Sequence, residues 1–261
     1  MREQHKQAID RLTEKYCKDA RFPALIIVGS IARGKEREDS DVDAVLVASE
    51  EEFAWRKEQK AYHFFDFEVS DQKNLYADVK VMNLQYLTDA AEKGSEPARA
   101  GFSGAFIAYS RIPGLEDILR RIPVFQEREQ EQKLNVFYSQ LHPMRFFAIE
   151  AIEKDNRFLL ANTVNNMLLF GLRIILEQNK ILFPSHKGLF AEAAAAQRKP
   201  AGIMALADKL LENHSRENID AFADAILGYD GWAVKPRESI GTYLEHNDWS
   251  WAHGGASIYS W

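Results

Sequence analysis

The segment that most constrains this fold is a short apolar run, then a polar loop, then a second apolar run. Residues 24–28 read ALIIV and residues 42–48 read VDAVLVA. Short apolar runs bounded by turn residues indicate buried strands. The intervening residues, GSIARGKEREDSD, are rich in charge. The segment therefore predicts two strands joined by a polar loop, and so a sheet near the N-terminal end of the sequence.

The polar loop nearly matches the Walker A phosphate-binding motif, which reads G-x-x-x-x-G-K-[ST]. Gly29, Gly34 and Lys35 fit the motif, but Glu36 stands where it needs a hydroxyl group for the magnesium ion. A phosphate loop of this kind also needs a helix directly after its lysine. The second strand begins near Val42, which leaves little room for that helix. We therefore expect a different kind of site.

Two acids at the start of the second predicted strand indicate that site. Asp41 and Asp43 are two residues apart, so on a strand their carboxylates point to the same side. Like charges this close are unfavourable unless a cation neutralises them, and carboxylate oxygens suit Mg²⁺. Gly29 lets a phosphate approach the backbone closely, and Ser30 offers it N–H and hydroxyl groups. This combination predicts transfer of a phosphorus-containing group from a nucleoside triphosphate.

Ordinary turn chemistry is the alternative explanation for these acids. It would explain the polar residues Asp39 to Asp41. It does not explain Asp43, which lies inside an apolar strand and faces the same way as Asp41. The metal-site interpretation is therefore preferred.

A Gly-Ser pair, a polar loop and Asp-x-Asp in an apolar strand together resemble the signature of the DNA polymerase β-like nucleotidyltransferase superfamily. The motif covers roughly residues 24–48. The resemblance implies that Gly29 and Ser30 hold the β- and γ-phosphates and that Asp41 and Asp43 bind one or two Mg²⁺ ions. It also implies ATP as the nucleotide donor.

The pattern changes near residue 126, where strand-like alternation gives way to long helical periodicity. We predict a nucleotidyltransferase domain over residues 1–125, a small mixed sheet with helices, and an all-α helical bundle domain over residues 126–261. This α+β arrangement is similar to the aminoglycoside (kanamycin) nucleotidyltransferase-like branch. Strands are predicted over 24–28, 42–48, 61–69, 75–82 and 105–109, and helices over 4–20, 84–93, 127–154, 157–178, 187–197, 201–213 and 217–228.

The resemblance implies a third acid on a neighbouring strand, which would bind metal and could take the proton from the attacking hydroxyl. Asp78, within the apolar run YADVKV, is the first choice. Asp66 and Glu68 compete with it, because they also place two acids on one face of a predicted strand. Their alternative role is the solvated side of an edge strand. Lys80 shares the predicted face of Asp78, either to balance its charge or to contact a phosphate.

Several cations are candidates for the triphosphate. Arg33, Lys35 and Arg37 lie in the loop between the Gly-Ser pair, which we call the phosphate handle, and the two metal-binding acids. Each is either a phosphate contact or an exposed cation. The resemblance implies that the helical domain lends a lysine to the triphosphate, and Lys187 is placed for this at the start of a helix. The alternative for Lys187 is an ordinary helix residue with Ser185 as the N-cap.

The helical half offers two further candidates. Relatives that modify antibiotics use a glutamate there as base, so Glu150 is a second candidate base; a solvated helix face is its alternative explanation. The tail from Asp248 is rich in aromatic residues, including Trp249, Trp251 and Trp261. These side chains could stack on an acceptor ring, but core packing is the preferred expectation.

Composition excludes several function classes. The net charge of -6 argues against a nucleic-acid binder with a broad basic face. Cys17 is the sole cysteine, which rules out an intrachain disulfide. No segment reads as the roughly 20 apolar residues of a membrane span, so we expect no membrane partner and a cytoplasmic location.

The sequence thus predicts an Mg²⁺-dependent nucleotidyltransferase that moves AMP from ATP to a hydroxyl of a small-molecule acceptor and releases pyrophosphate. Resemblance to the antibiotic-modifying branch suggests an aminoglycoside-like acceptor, which an acidic protein would attract. One alternative is a protein nucleotidyltransferase that AMPylates a side chain, for regulation or in a toxin–antitoxin pair. The other is a catalytically silent nucleotide-binding module, against which the intact Asp41 and Asp43 argue.

Overall fold

The computed structural model describes residues 1–72, 74–232 and 239–253. The chain divides into two units, Met1–Val124 and Phe125–Trp261. The N-terminal unit contains strands β1 (Ala24–Ile27), β2 (Val42–Ala48), β3 (His63–Asp66), β4 (Ala77–Asn83) and β5 (Phe106–Ser110). Its helices are α1 (Glu3–Tyr16), α2 (Gly29–Ala32), α3 (Glu50–Gln59), α4 (Leu84–Lys93), α5 (Glu96–Ala100) and α6 (Leu115–Arg121).

The strands form one mixed sheet in the order β3-β4-β2-β1-β5. Strands β2 and β4 run parallel, and the other neighbouring pairs are antiparallel. Successive side chains of a strand point to opposite faces of the sheet. At the centre of the sheet, both faces are covered. Leu25 and Leu46 pack with Leu12 of α1 on one face, whereas Ile26 and Val45 belong to the core on the other face.

The predicted strand over residues 61–69 is shorter in the structure, where β3 ends at Asp66. The Asp66 side chain accepts a hydrogen bond of 3.0 Å from the backbone N–H of Glu68. This local bond turns the chain out of the sheet. The other predicted strands are confirmed to within two residues at either end.

Helix α3 was not predicted, although its start carries a recognisable signal. Ser49 is its N-cap and accepts a bond from the backbone N–H of Glu52, and Glu50 and Glu51 add negative charge to the first turn. A serine followed three residues later by glutamate is typical of a helix start. The signal was available in the sequence but lies directly after the strand-like run of β2.

The second unit is built of helices, as predicted. They are α7 (Glu127–Glu153), α8 (Arg157–Gln178), α9 (His186–Ala195), α10 (Ile203–Glu212), α11 (Arg216–Leu227) and α12 (Ser239–His246), with a 3-10 turn at Ser250–His253. Pro143 lies inside α7. The predicted core packing of the tail is wrong for Trp249 and Trp251, which are 51% and 78% exposed; Trp261 lies outside the described residues.

Helix α8 departs from the expectation that no segment could span a membrane. Among the described residues it is the one helix long and apolar enough, by length and composition alone, to do so. In the structure 67% of its most apolar 18-residue stretch is buried within the protein. Phe222 and Ile226 of α11 lie so close to Gly171 of α8 that a Cβ there would meet the Phe222 ring at 2.8 Å. This close packing is typical of the core helix of a helical unit.

Candidate functional site

Three carboxylates meet on one face of the sheet. Asp43 of β2 and Asp78 of β4 are direct partners in the parallel register, and Asp41 lies just before β2. One carboxylate oxygen from each of the three lies within 4.8 Å of the other two. All three residues are half-buried. The structure therefore brings together the three acids predicted from the sequence, and we call them the Asp triad.

The Asp triad fits a divalent cation. Its donor set consists of carboxylate oxygens alone, which Mg²⁺ prefers. The repulsion between three such charges is relieved when a cation binds among them. The neighbouring Tyr76 reports this concentrated charge: the pKa of its phenol is raised, first by the negative charge of Asp41 and then by burial.

Two further side chains, those of His63 and Lys80, contact Asp78. His63 of β3 is hydrogen-bonded through Nε2 to Asp78 Oδ1 at 2.9 Å, and Lys80 Nζ lies 3.7 Å from the same oxygen. His63 and Lys80 are cross-strand partners in the β3–β4 pairing. Lys80 was predicted on this face, whereas His63 was missed. These contacts hold one carboxylate oxygen of Asp78 in place.

Gly29 lies against the Asp triad and cannot carry a side chain there. Its φ is +73°, and a Cβ at this position would come within 2.0 Å of Asp43 Oδ2. Gly29 also begins α2, so the predicted loop after Gly29-Ser30 in fact starts with one helical turn. The first-turn N–H groups of a helix have no intrahelical partners. This turn ends at Ala32, before Lys35, whereas a Walker A helix follows its lysine.

The loop cations differ in their placement. Arg33 folds back so that its Nε donates to the carbonyl oxygen of Gly29 at 3.2 Å. Arg37 pairs with Asp39 at 3.0 Å, and both are exposed. Arg33 is therefore the loop arginine whose guanidinium adjoins the predicted phosphate handle.

Asp66 and Glu68 do not join the Asp triad. Asp66 pairs with Ala77, so its side chain points to the face opposite Asp78. It is 4% exposed and accepts bonds from Lys15 Nζ at 2.8 Å and Tyr16 Oη at 3.1 Å. The expectation of a solvated edge is thus also wrong for Asp66. Burial, and then the charge of Asp66, raise the pKa of Tyr16 to about 12.

Replacing Asp66 with Asn is expected to lower the free energy of unfolding by about 1–3 kcal/mol, because it removes the buried charge that accepts these two bonds. Glu68→Gln is the matched control: Glu68 contacts the same Lys15 at 2.7 Å, but its side chain is 82% exposed. Such an exposed pair contributes below about 1 kcal/mol. Urea unfolding monitored by circular dichroism measures both. If Asp66→Asn instead leaves stability intact and weakens magnesium-dependent nucleotide binding, the structural role is wrong.

The two candidates of the helical unit are placed as follows. Lys187 is exposed in the first turn of α9. Ser185 is the N-cap residue of α9, yet its side chain makes no capping hydrogen bond. Glu150, in the last turn of α7, is half-buried and pairs with Lys154, the residue directly after this helix. The assignment of Lys187 to the triphosphate stays a prediction.

One family model matches the part of the chain that holds this site. Residues 9–95, one third of the chain, match the family model described as nucleotidyltransferase domain. Among solved structures, the chain is similar to a nucleotidyltransferase-like protein from Exiguobacterium sibiricum, with 14% identity and a TM-score of 0.48. That match covers 92% of this chain and 78% of the other. None of the curated proteins shows a significant match.

The matched residues 9–95 include both the predicted phosphate-binding residues and the Asp triad. They contain Gly29 and Ser30 after β1, Asp41 and Asp43 at β2, and Asp78 in β4. The predicted fold class, a nucleotidyltransferase domain with a mixed sheet followed by a helix-rich region, is confirmed. The N-terminal unit of this protein therefore contains a nucleotidyltransferase domain.

Proposed function

We propose that this protein is an Mg²⁺-dependent nucleotidyltransferase that moves AMP from ATP to a hydroxyl of a small-molecule acceptor. The observation that carries the proposal is the convergence of Asp41, Asp43 and Asp78 within 4.8 Å, inside a matched nucleotidyltransferase domain. Gly29 also supports the proposal, because it has no side chain and lies directly against Asp43, so a phosphate can approach the backbone there.

Each group has a role in this proposal. Asp41, Asp43 and Asp78 hold one or two metal ions, which when bound neutralise charge on the phosphate oxygens. Gly29 and Ser30 hold the β- and γ-phosphates through the backbone N–H groups of the α2 turn. Arg33, whose guanidinium adjoins Gly29, adds positive charge to the triphosphate site.

The proposed transfer balances as follows. The acceptor oxygen forms a bond to the α-phosphorus, and the bond from that phosphorus to the bridging oxygen of the β-phosphate breaks. Pyrophosphate leaves, and the hydroxyl proton passes to a carboxylate oxygen of Asp78. His63 and Lys80 keep that carboxylate in place. Catalysis then consists mainly of positioning and of charge stabilisation.

The test combines binding and transfer. Calorimetric titration with ATP is expected to show binding that requires magnesium and that EDTA abolishes. With ATP labelled at the α-phosphate and a pool of hydroxyl compounds, the label should appear in a small molecule as pyrophosphate is released. Absence of binding by ATP and by the other nucleoside triphosphates would overturn the proposal. If the label instead stays with a protein band, the acceptor is a protein and not a small molecule.

A further inference from the structure

A cavity of about 540 Å³ lies at the outer edge of β4 in the N-terminal unit. It opens beside Val81 and Met82, because β3 begins at His63 and leaves this end of β4 without a full strand partner. Helix α3 and the first turn of α4 supply the remaining walls through Phe53 and Tyr86. Its volume lies in the range of small-molecule sites.

The charged side chains that line this cavity are cationic. They are Lys57 and Lys80. Within the described residues the lining contains no aspartate or glutamate. Lys57 is exposed, and no described carboxylate lies within ion-pair distance of its ammonium group. The cavity therefore offers a positive charge that an anionic ligand group can pair with.

The other walls include three aromatic side chains. Phe53 and Tyr62 lie with ring centroids 5.9 Å apart, and Tyr86 of α4 also lines the cavity. Tyr62 and Tyr86 are 39% and 47% exposed, so a ligand ring would remove apolar surface from water. A ring that carries an anionic group matches both kinds of wall.

The cavity adjoins the Asp triad on the side where an acceptor must enter. His63 and Lys80, which line the cavity, both contact Asp78 Oδ1. The sheet order places Asp78 on β4, Asp43 on β2, and Gly29 after β1. If the leaving phosphates lie at Gly29, the attacking oxygen must come from the opposite direction, because attack and departure are roughly in line. That direction is the β4 side.

We infer that this cavity is the acceptor subsite and that it takes a hydroxyl compound bearing a phosphate or carboxylate next to a ring. The inference rests on the proposed function and narrows its substrate class. It departs from the expectation of an aminoglycoside-like acceptor, because a polycation would bring its charges against Lys57 and Lys80. Both anionic groups pair with ammonium groups in the same way.

The test uses three probes that share a ring and a primary hydroxyl but differ in charge. They are para-hydroxymethylbenzoate, para-hydroxymethylphenyl phosphate and para-aminomethylbenzyl alcohol. Binding to ¹⁵N-labelled full-length protein is followed by backbone amide shifts, without ATP or magnesium. We expect at least one anionic probe to shift the amides of Lys57, Val81 and Met82, and the cationic probe to leave them unchanged. The tighter anionic probe identifies the preferred group.

Variants assign the effect to the cavity. Lys57→Met should weaken the anionic probe about fivefold, because it removes an ammonium partner. Lys6→Met is the matched control, since Lys6 is an exposed helix lysine on α1 that does not line the cavity. Equal weakening by both variants, or equal binding of the cationic probe at these amides, would overturn the inference.

A last titration tests whether the cavity binds the acceptor or the nucleotide. ATP with magnesium should leave the anionic probe bound, because the two occupy opposite sides of the Asp triad. Displacement of the probe by ATP would overturn the acceptor assignment. Probe binding is measured without nucleotide, so its failure leaves the ATP titration of the proposed function unaffected, and the two proposals fail separately.

Discussion

Asp43→Asn is expected to lower the rate of nucleotidyl transfer at least about 100-fold, or ~2.7 kcal/mol of transition-state stabilisation, and to abolish magnesium-dependent ATP binding. Asp43 is the carboxylate that pairs with Asp78 in the sheet and lies against Gly29. Asparagine keeps its size and removes its charge, so the change isolates the electrostatic contribution. Pyrophosphate release and ATP calorimetry are the two measurements.

Asp89→Asn is the matched control for this experiment. Asp89 is also half-buried in the N-terminal unit and accepts contacts from Gln85 at 3.0 Å and Lys93 at 3.4 Å on α4. It does not belong to the Asp triad. Its variant should therefore bind ATP as the wild type does. Unchanged ATP binding by Asp43→Asn in a folded protein would show that the Asp triad does not hold the metal.

Gly29→Ala is expected to reduce transfer by a similar factor, at least about 100-fold, although it removes no charge. The new Cβ would lie 2.0 Å from Asp43 Oδ2 and 2.8 Å from Asp43 Cβ, so the whole Asp43 side chain must move. That movement takes one carboxylate out of the Asp triad and occupies the space where a phosphate approaches the backbone. The measurements are ATP affinity and pyrophosphate release.

Gly34→Ala separates this steric effect from backbone strain. Gly34 also has a positive φ, +65°, but nothing lies within 4 Å of a Cβ built there. Both variants carry the left-handed conformational cost of about 1–2 kcal/mol, which urea unfolding measures. Gly34→Ala should retain transfer. Equal losses in both variants would indicate that strain in this loop, and not contact with Asp43, controls the activity.

Much of the architecture was predictable because it follows from local periodicity. The apolar runs predicted strands β1 and β2, and the helical periodicity predicted α8. In each case the signal comes from residues that are neighbours along the chain. Asp41 and Asp43 could be paired from sequence, since their spacing alone puts them on one side of a strand. The strand end at Asp66 was not predicted, because it depends on a single side-chain bond to the backbone of Glu68.

The choice between Asp78 and Asp66 required the tertiary structure. Both acids lie on strands with similar patterns, and alternation alone does not say which face points to the Asp triad. The β2–β4 register sets Asp78 beside Asp43. The β3–β4 register turns the Asp66 side chain to the face of the sheet that α1 covers, where Lys15 forms an ion pair with it.

The sequence by itself determined the five strands along the chain, the Gly-Ser and Asp-x-Asp motifs and the helix-rich second half, because these depend on neighbours along the chain. Only the tertiary structure decided the third carboxylate, the contact of His63 with it, and the cationic cavity beside Lys57 and Lys80. Those features join residues from separate strands and helices. Their positions follow from sheet register and helix packing, which no local pattern specifies.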